Sequence, residues 1–128
     1  KNTTTDIKTT VNKALSLTEI LKIQNLIRKI PVADNVIEYA VKLVAKTRPY
    51  VEFSSEEVKK YIAWGAGPRA SQFLIIAAKC HAAIHGKYSP DIEDVKAISL
   101  PVLRHRIVLN YKAEAEGMNV EKLVHSLL

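Results

Sequence analysis

Glycine is scarce in this chain, four in 128 residues, and cysteine scarcer still at one. None of the four glycines stands in the Gly-Lys-Ser/Thr setting that a phosphate-cradling P-loop requires. A lone Cys80 excludes an internal disulfide. Its place inside an apolar stretch makes it an inert thiol, which fits a reduced, cytoplasmic setting. No apolar run reaches the roughly 20 residues of a membrane span, and no signal peptide opens the chain, so no membrane partner is expected. No apolar strand ends in paired acids that could hold magnesium. Acids are outnumbered, 13 against 19 lysines and arginines, for a net charge of +6. That balance permits phosphate-bearing partners without establishing one. What is present is ordinary for one folded domain: 48% apolar and 25% charged residues.

Residues 1–14 are polar and threonine-rich, and read as a linker or docking arm. They open on Lys1 rather than methionine, which implies processing or excision from something longer. Ser16 and Glu19 have capping-box spacing and start a helix to about Ile30, with Leu17, Ile20, Leu21, Ile23 and Ile27 on a broad apolar face. Pro31 ends it. Asp34 caps a second helix to about Thr47, with Val36, Ile37, Ala40, Val41 and Val44 inward. Tyr50–Phe53 form an extended connector. Ser54 and Glu57 open a short helix that Gly65 stops. A helix to about His85 follows, closed by Gly86 at the C′ position. Ser89 caps the next helix with Pro90 in its first turn, and Pro101 kinks or restarts it. From Leu109 to Ala115 apolar residues alternate, a weak extended signal. Asn119 caps a last helix. The expected fold is therefore mainly α, a bundle of about six helices with a short extended segment near 108–115.

The stretch Gly65-Ala66-Gly67-Pro68-Arg69 organises the rest. Two glycines and a proline form a hinge into a helix that is apolar on nearly every side, which predicts burial. Arg69 sits in that helix's first turn, where partial positive charge favours anions. Two readings stand: a surface or internally paired arginine, or one that meets an anion brought from elsewhere. His81 and His85 have the i, i+4 spacing of metal ligands but lack a third ligand, so core or helix-end roles are the better reading and no metal is expected. Cys80 and His81 are adjacent on a helix and face apart, a poor nucleophile pair. Arg104-His105-Arg106 is a compact basic cluster, either solvated or in contact with phosphate or a neighbouring subunit. Trp64 is a hydrophobic anchor or a stacking surface for a base.

Taken together, Trp64-Gly65-Ala66-Gly67-Pro68-Arg69-Ala70-Ser71, Asp91 to Val95, Pro101-Val102-Leu103-Arg104-His105-Arg106-Ile107 and Glu114-Ala115-Glu116-Gly117 resemble the C-terminal part of MoxR-type AAA+ ATPases. The likeness runs from about Leu15 to Leu128. It implies a helical lid, residues 15–128, without the ATPase core that carries the P-loop and magnesium-binding acids. It gives Arg69 the sensor-2 role of reaching nucleotide phosphates, with Gly67 and Pro68 setting the helix's approach. It makes ATP and Mg2+ cofactors of a longer parent and leaves no catalytic residue in this chain. Arg104 and Arg106 become lid-packing, phosphate or subunit contacts. The implied partners are the core of the same protein, neighbouring subunits of a ring and a client protein. The implied work is chaperone-like remodelling driven by ATP hydrolysis. The alternative is a small helical nucleic-acid-binding module. It is disfavoured because lysines and arginines are spread over all the helices instead of gathered on one.

Overall fold

A computed structural model describes residues 12–128, so the expected arm at 1–14 lies almost wholly outside the described residues. In chain order the elements are α1 (Leu17–Lys29), α2 (Asp34–Lys46), α3 (Glu56–Tyr61), β1 (Ile62–Trp64), α4 (Arg69–Ile84), α5 (Ile92–Leu103), β2 (Val108–Leu109), α6 (Tyr111–Ala115) and α7 (Val120–Leu127). The architecture is mainly helical. Its small sheet pairs β1 antiparallel with β2, Ile62 opposite Leu109 and Trp64 opposite Val108, with an irregularity between the two pairs.

The core forms where α4 lies against α2 and α5. The buried stripe of α4 is Ala70, Leu74, Ala78 and Ala82, a four-residue spacing that keeps one face inward. Three alanines bring the neighbouring helices close. Val36, Ala40, Leu43 and Val44 from α2, Val95 and Leu103 from α5, and Leu123, Val124 and Leu127 from α7 complete the packing.

Several local expectations change. The α4 helix is not buried all round: Phe73, Ile76 and Ile84 face outward. On α2, Ile37 and Val41 are likewise exposed, and Ala33 rather than Asp34 is the cap. Helix α1 begins at Ser16 with a complete capping box, yet buries none of its residues. Ser55, not Ser54, caps α3, because the Ser54 hydroxyl donates to the Arg48 carbonyl. Residues Tyr50–Phe53 are turns, not an extended connector.

The α5 cap is Asp91, not Ser89. Asp91 and Asp94 exchange backbone and side-chain hydrogen bonds in a reciprocal box, which satisfies two N–H groups at once. Ser89 instead donates to the Pro31 carbonyl. Pro101 does not break α5. It removes one helical bond near the C-terminal end, and buried Val95, Ser99 and Leu103 hold the helix on both sides of it. The alternation at 109–115 is strand only at Val108–Leu109. Asn110 then caps α6 by accepting from the Ala113 N–H, and its amide donates to the Lys60 carbonyl.

Candidate functional site

The turn before α4 is built from the end of α2. Thr47 follows α2, and its hydroxyl donates to the Val44 carbonyl at 2.7 Å and accepts from the Ala66 N–H at 2.9 Å. The next residue, Arg48, donates from Nε to the Ala66 carbonyl at 3.1 Å. Both backbone groups of Ala66 are thus taken by neighbouring side chains. Gly65 lies between them. A Cβ there would come within 2.7 Å of the Thr47 carbonyl carbon and 2.8 Å of Arg48 Cα, closer than backbone atoms allow. The expected hinge is therefore a clamped turn. From the sequence Thr47 reads only as the end of the helix, and Arg48, with Lys42 and Lys46, as a cation that complements its dipole. Their role is tertiary.

That clamp fixes where α4 starts. Ala70 N–H donates to the Gly67 carbonyl and Ser71 N–H to the Pro68 carbonyl, while Pro68 occupies the cap position without a side-chain cap. Arg69 follows as the first residue of α4. Its side chain is exposed and makes no hydrogen bond or ion pair among the described residues. Gly67 is also exposed, and a Cβ on it would meet nothing within 4 Å. Trp64, on β1, is 67% exposed on the same connection.

Arg104 and Arg106 do different things. Arg104 Nη2 pairs with Glu121 Oε1 at 3.1 Å, tying the end of α5 to α7. Arg106 Nη1 donates to the Val102 carbonyl at 2.6 Å, and its guanidinium lies over the Phe73 ring at 4.9 Å. Arg106 also contacts the His105 ring. Leu103 and Ile107, on either side, are core residues. The segment thus packs through its apolar members while its two arginines fasten α5 to α7 and to α4. Arg106 reaches α4 at Phe73, one turn beyond Arg69.

His81 belongs to a separate cluster. Its Nδ1 donates to Asp94 Oδ1 at 2.7 Å, and Lys87 Nζ reaches Asp94 Oδ2 at 3.1 Å. Asp94 is fully buried. Burial works to raise its pKa, but the Asp91 N–H, His81 and Lys87 together outweigh this and hold the carboxyl well below the usual range. The cluster pins the C-terminal end of α4 to the start of α5. His85 turns back to donate from Nδ1 to the His81 carbonyl. Among the described residues no three His, Cys, Asp or Glu side chains are grouped to hold a metal ion.

The remaining cations are distributed. Lys42, Lys59, Lys60 and Lys96 pair with Glu38, Glu56, Glu116 and Glu93, and no single helix carries a free basic stripe among the described residues. No described helix is long and apolar enough to cross a membrane.

The model of the AAA lid domain matches residues 54–127. The chain is 33% identical over 114 residues to Chaperone MoxR1 of Mycobacterium tuberculosis, covering 89% of this chain and 30% of that protein. It is 24% identical over 119 residues to the uncharacterized protein YeaC of Bacillus subtilis, covering 93% and 34%. The crystal structure of a candidate ATPase from Cytophaga hutchinsonii superposes with a TM-score of 0.81 at 34% identity, over 86% of this chain and 33% of that one. The chain spans about a third of the length of each of these relatives.

Proposed function

The chain belongs to the AAA lid domain family, and from that premise we propose that it is the nucleotide-sensing lid of a MoxR-type ATPase. In this reading Arg69 contacts the phosphates of ATP held by a core domain of the same protein. The observation that carries it is the state of Arg69: an exposed guanidinium in the first turn of α4, with no acidic partner among the described residues. The helix start does not favour a cation, so an anion supplied from outside the chain accounts for it. Gly67 supports the same face. Within the described chain it has no steric reason to be glycine, whereas close approach of a ligand to the backbone is a reason.

The residues present fit part of a nucleotide site and not the rest. Arginine's planar fork suits phosphate oxygens. No phosphate loop stands in the sequence, and no described acidic cluster fits Mg2+. Bound ATP would supply the triphosphate charge and the bond to be hydrolysed. This chain would hold one guanidinium toward that charge and do no proton transfer. Its further task is mechanical. The clamped turn and the alanine-lined packing of α4 make Arg69 part of a stiff unit with α2 and α5. A pull on Arg69 then moves the lid as a body, and its release on hydrolysis changes the lid's angle and remodels the ring and its client complexes.

The test is Arg69→Ala in the full-length ATPase. Loss of one charge-assisted contact is worth about 1.5–3 kcal/mol, so ATP turnover should fall about 10- to 100-fold, or nucleotide-dependent assembly should fail. Unchanged turnover together with unchanged assembly rejects the role. The isolated chain should bind ATP no more tightly than about millimolar, since one arginine supplies only a few kcal/mol.

A further inference from the structure

Arg48 follows α2 but does not direct its guanidinium at that helix. The last carbonyls of α2 are met by backbone and by Thr47: the Thr47 N–H and hydroxyl donate to Val44, and the Arg48 N–H to Ala45. The Arg48 side chain runs instead to the turn before α4, where Nε donates to the Ala66 carbonyl at 3.1 Å. That bond uses one of the guanidinium's N–H groups and leaves those on Nη1 and Nη2.

Nη1 and Nη2 have no acceptor among the described residues, and no ion pair there includes Arg48. Arg48 is half-buried. Among the described residues no buried side-chain nitrogen lacks a partner, so both Nη groups open to the surface. The guanidinium is therefore fixed to the backbone along one edge and empty along the other. A cation drawn partly out of water calls for a counter-charge, and the described chain supplies none.

The empty edge belongs to the turn that leads to Arg69. Ala66, to which Arg48 is tied, precedes Arg69 by three residues, and at about 3.8 Å per residue their Cα atoms are at most about 11 Å apart. Between them Gly67 is exposed, and a Cβ on it would meet nothing within 4 Å. The turn thus carries two guanidinium groups, one tethered and one free, with open backbone between their points of attachment.

We propose that Arg48 is a second anion contact of the nucleotide site, its Nη groups taking oxygens of the same polyphosphate that Arg69 senses. This rests on the nucleotide reading of Arg69. The two arginines contribute differently. Arg69 is free to move with a phosphate, whereas Arg48 is set in advance by its bond to Ala66. An anion held on Arg48 is thereby coupled to α2 as well as to α4.

Arg48→Gln isolates the contact. The glutamine amide nitrogen is attached to Cδ, as arginine Nε is, so a donor to the Ala66 carbonyl remains while the charge and both Nη groups go. In the full-length protein, Arg48→Gln should weaken a non-hydrolysable ATP analogue about tenfold or more by calorimetry, with the melting temperature of the nucleotide-free protein unchanged. Arg48→Met, which also removes the clamp, should lower that temperature. Wild-type affinity in Arg48→Gln, where Arg69→Ala weakens the analogue, overturns this proposal and leaves the nucleotide reading standing. Wild-type affinity in both variants overturns both. A loss of affinity in Arg48→Gln that comes with the melting loss of Arg48→Met shows that Arg48 only shapes the turn. A melting loss in Arg48→Gln at wild-type affinity shows that its partner is a carboxylate in the rest of the protein. Either result overturns the proposal.

Discussion

At the scale of single residues, two glycines separate folding from function. Gly65 is required by packing: any side chain there strikes the backbone at Thr47 and Arg48. Gly65→Ala should cost about 1–3 kcal/mol or more, read as a lowered midpoint in urea unfolding. Gly67→Ala should change stability by less than about 0.5 kcal/mol, since its Cβ would meet nothing within 4 Å. Equal effects at the two positions would show that the clamp has been misread. Asp94 supplies a pH dependence. Its folded carboxyl titrates below the ordinary range, so its contribution is fully present above the unfolded value near 3.9 and is lost as pH falls through the folded value. Stability should therefore decline on acidification below about pH 4–5. Asp94→Asn should be less stable at neutral pH and show a shallower acid slope. An unchanged slope would mean that another carboxylate governs acid unfolding.

At the scale of elements, what could be read from the sequence is what local chemistry decides. Ser16 and Asn119 were legible as caps because each side chain serves its own helix start. Arg69 was legible as the start of α4 because Gly65 to Pro68 stop what precedes it. The Asp91 cap was hidden by the more familiar Ser89-Pro90 signal, and β1 by its shortness, since three residues carry no periodicity, whereas β2 falls at the start of the extended segment expected near 108–115. The clamp by Thr47 and Arg48 was not legible, since it joins residues 18 and 19 positions apart in the chain. Burial of α4 was overestimated because its outward isoleucines and phenylalanine are indistinguishable from core residues in a hydropathy pattern. That error can be tested by mutation. Leu74→Ala, on the buried stripe, should cost about 2–5 kcal/mol. Ile76→Ala, on the exposed face, should cost well under half as much. Similar losses would place both faces in the core.

At the scale of the whole molecule, the chain is a stiff helical unit whose α4 carries Arg69, Phe73, Ile76 and Ile84 along one outward stripe. The helix's N-terminal end presents Arg69 and Gly67 beside a clamped turn. One turn further along the same stripe, Phe73 lies under the Arg106 guanidinium. The two arginines are not interchangeable: Arg106 is held by Phe73 and the Val102 carbonyl, while Arg69 makes no such contact among the described residues. That difference is why the phosphate-sensing role is assigned to Arg69 and not to the more conspicuous basic cluster at 104–106.

The central claim concerns what Arg69 touches. In the full-length protein, the affinities for ADP and for a non-hydrolysable ATP analogue can be measured by calorimetry for the wild type and for Arg69→Ala. The account predicts that the substitution weakens the triphosphate by about tenfold or more and the diphosphate less, so that the preference for the triphosphate collapses. Affinities that both stay at their wild-type values would contradict it.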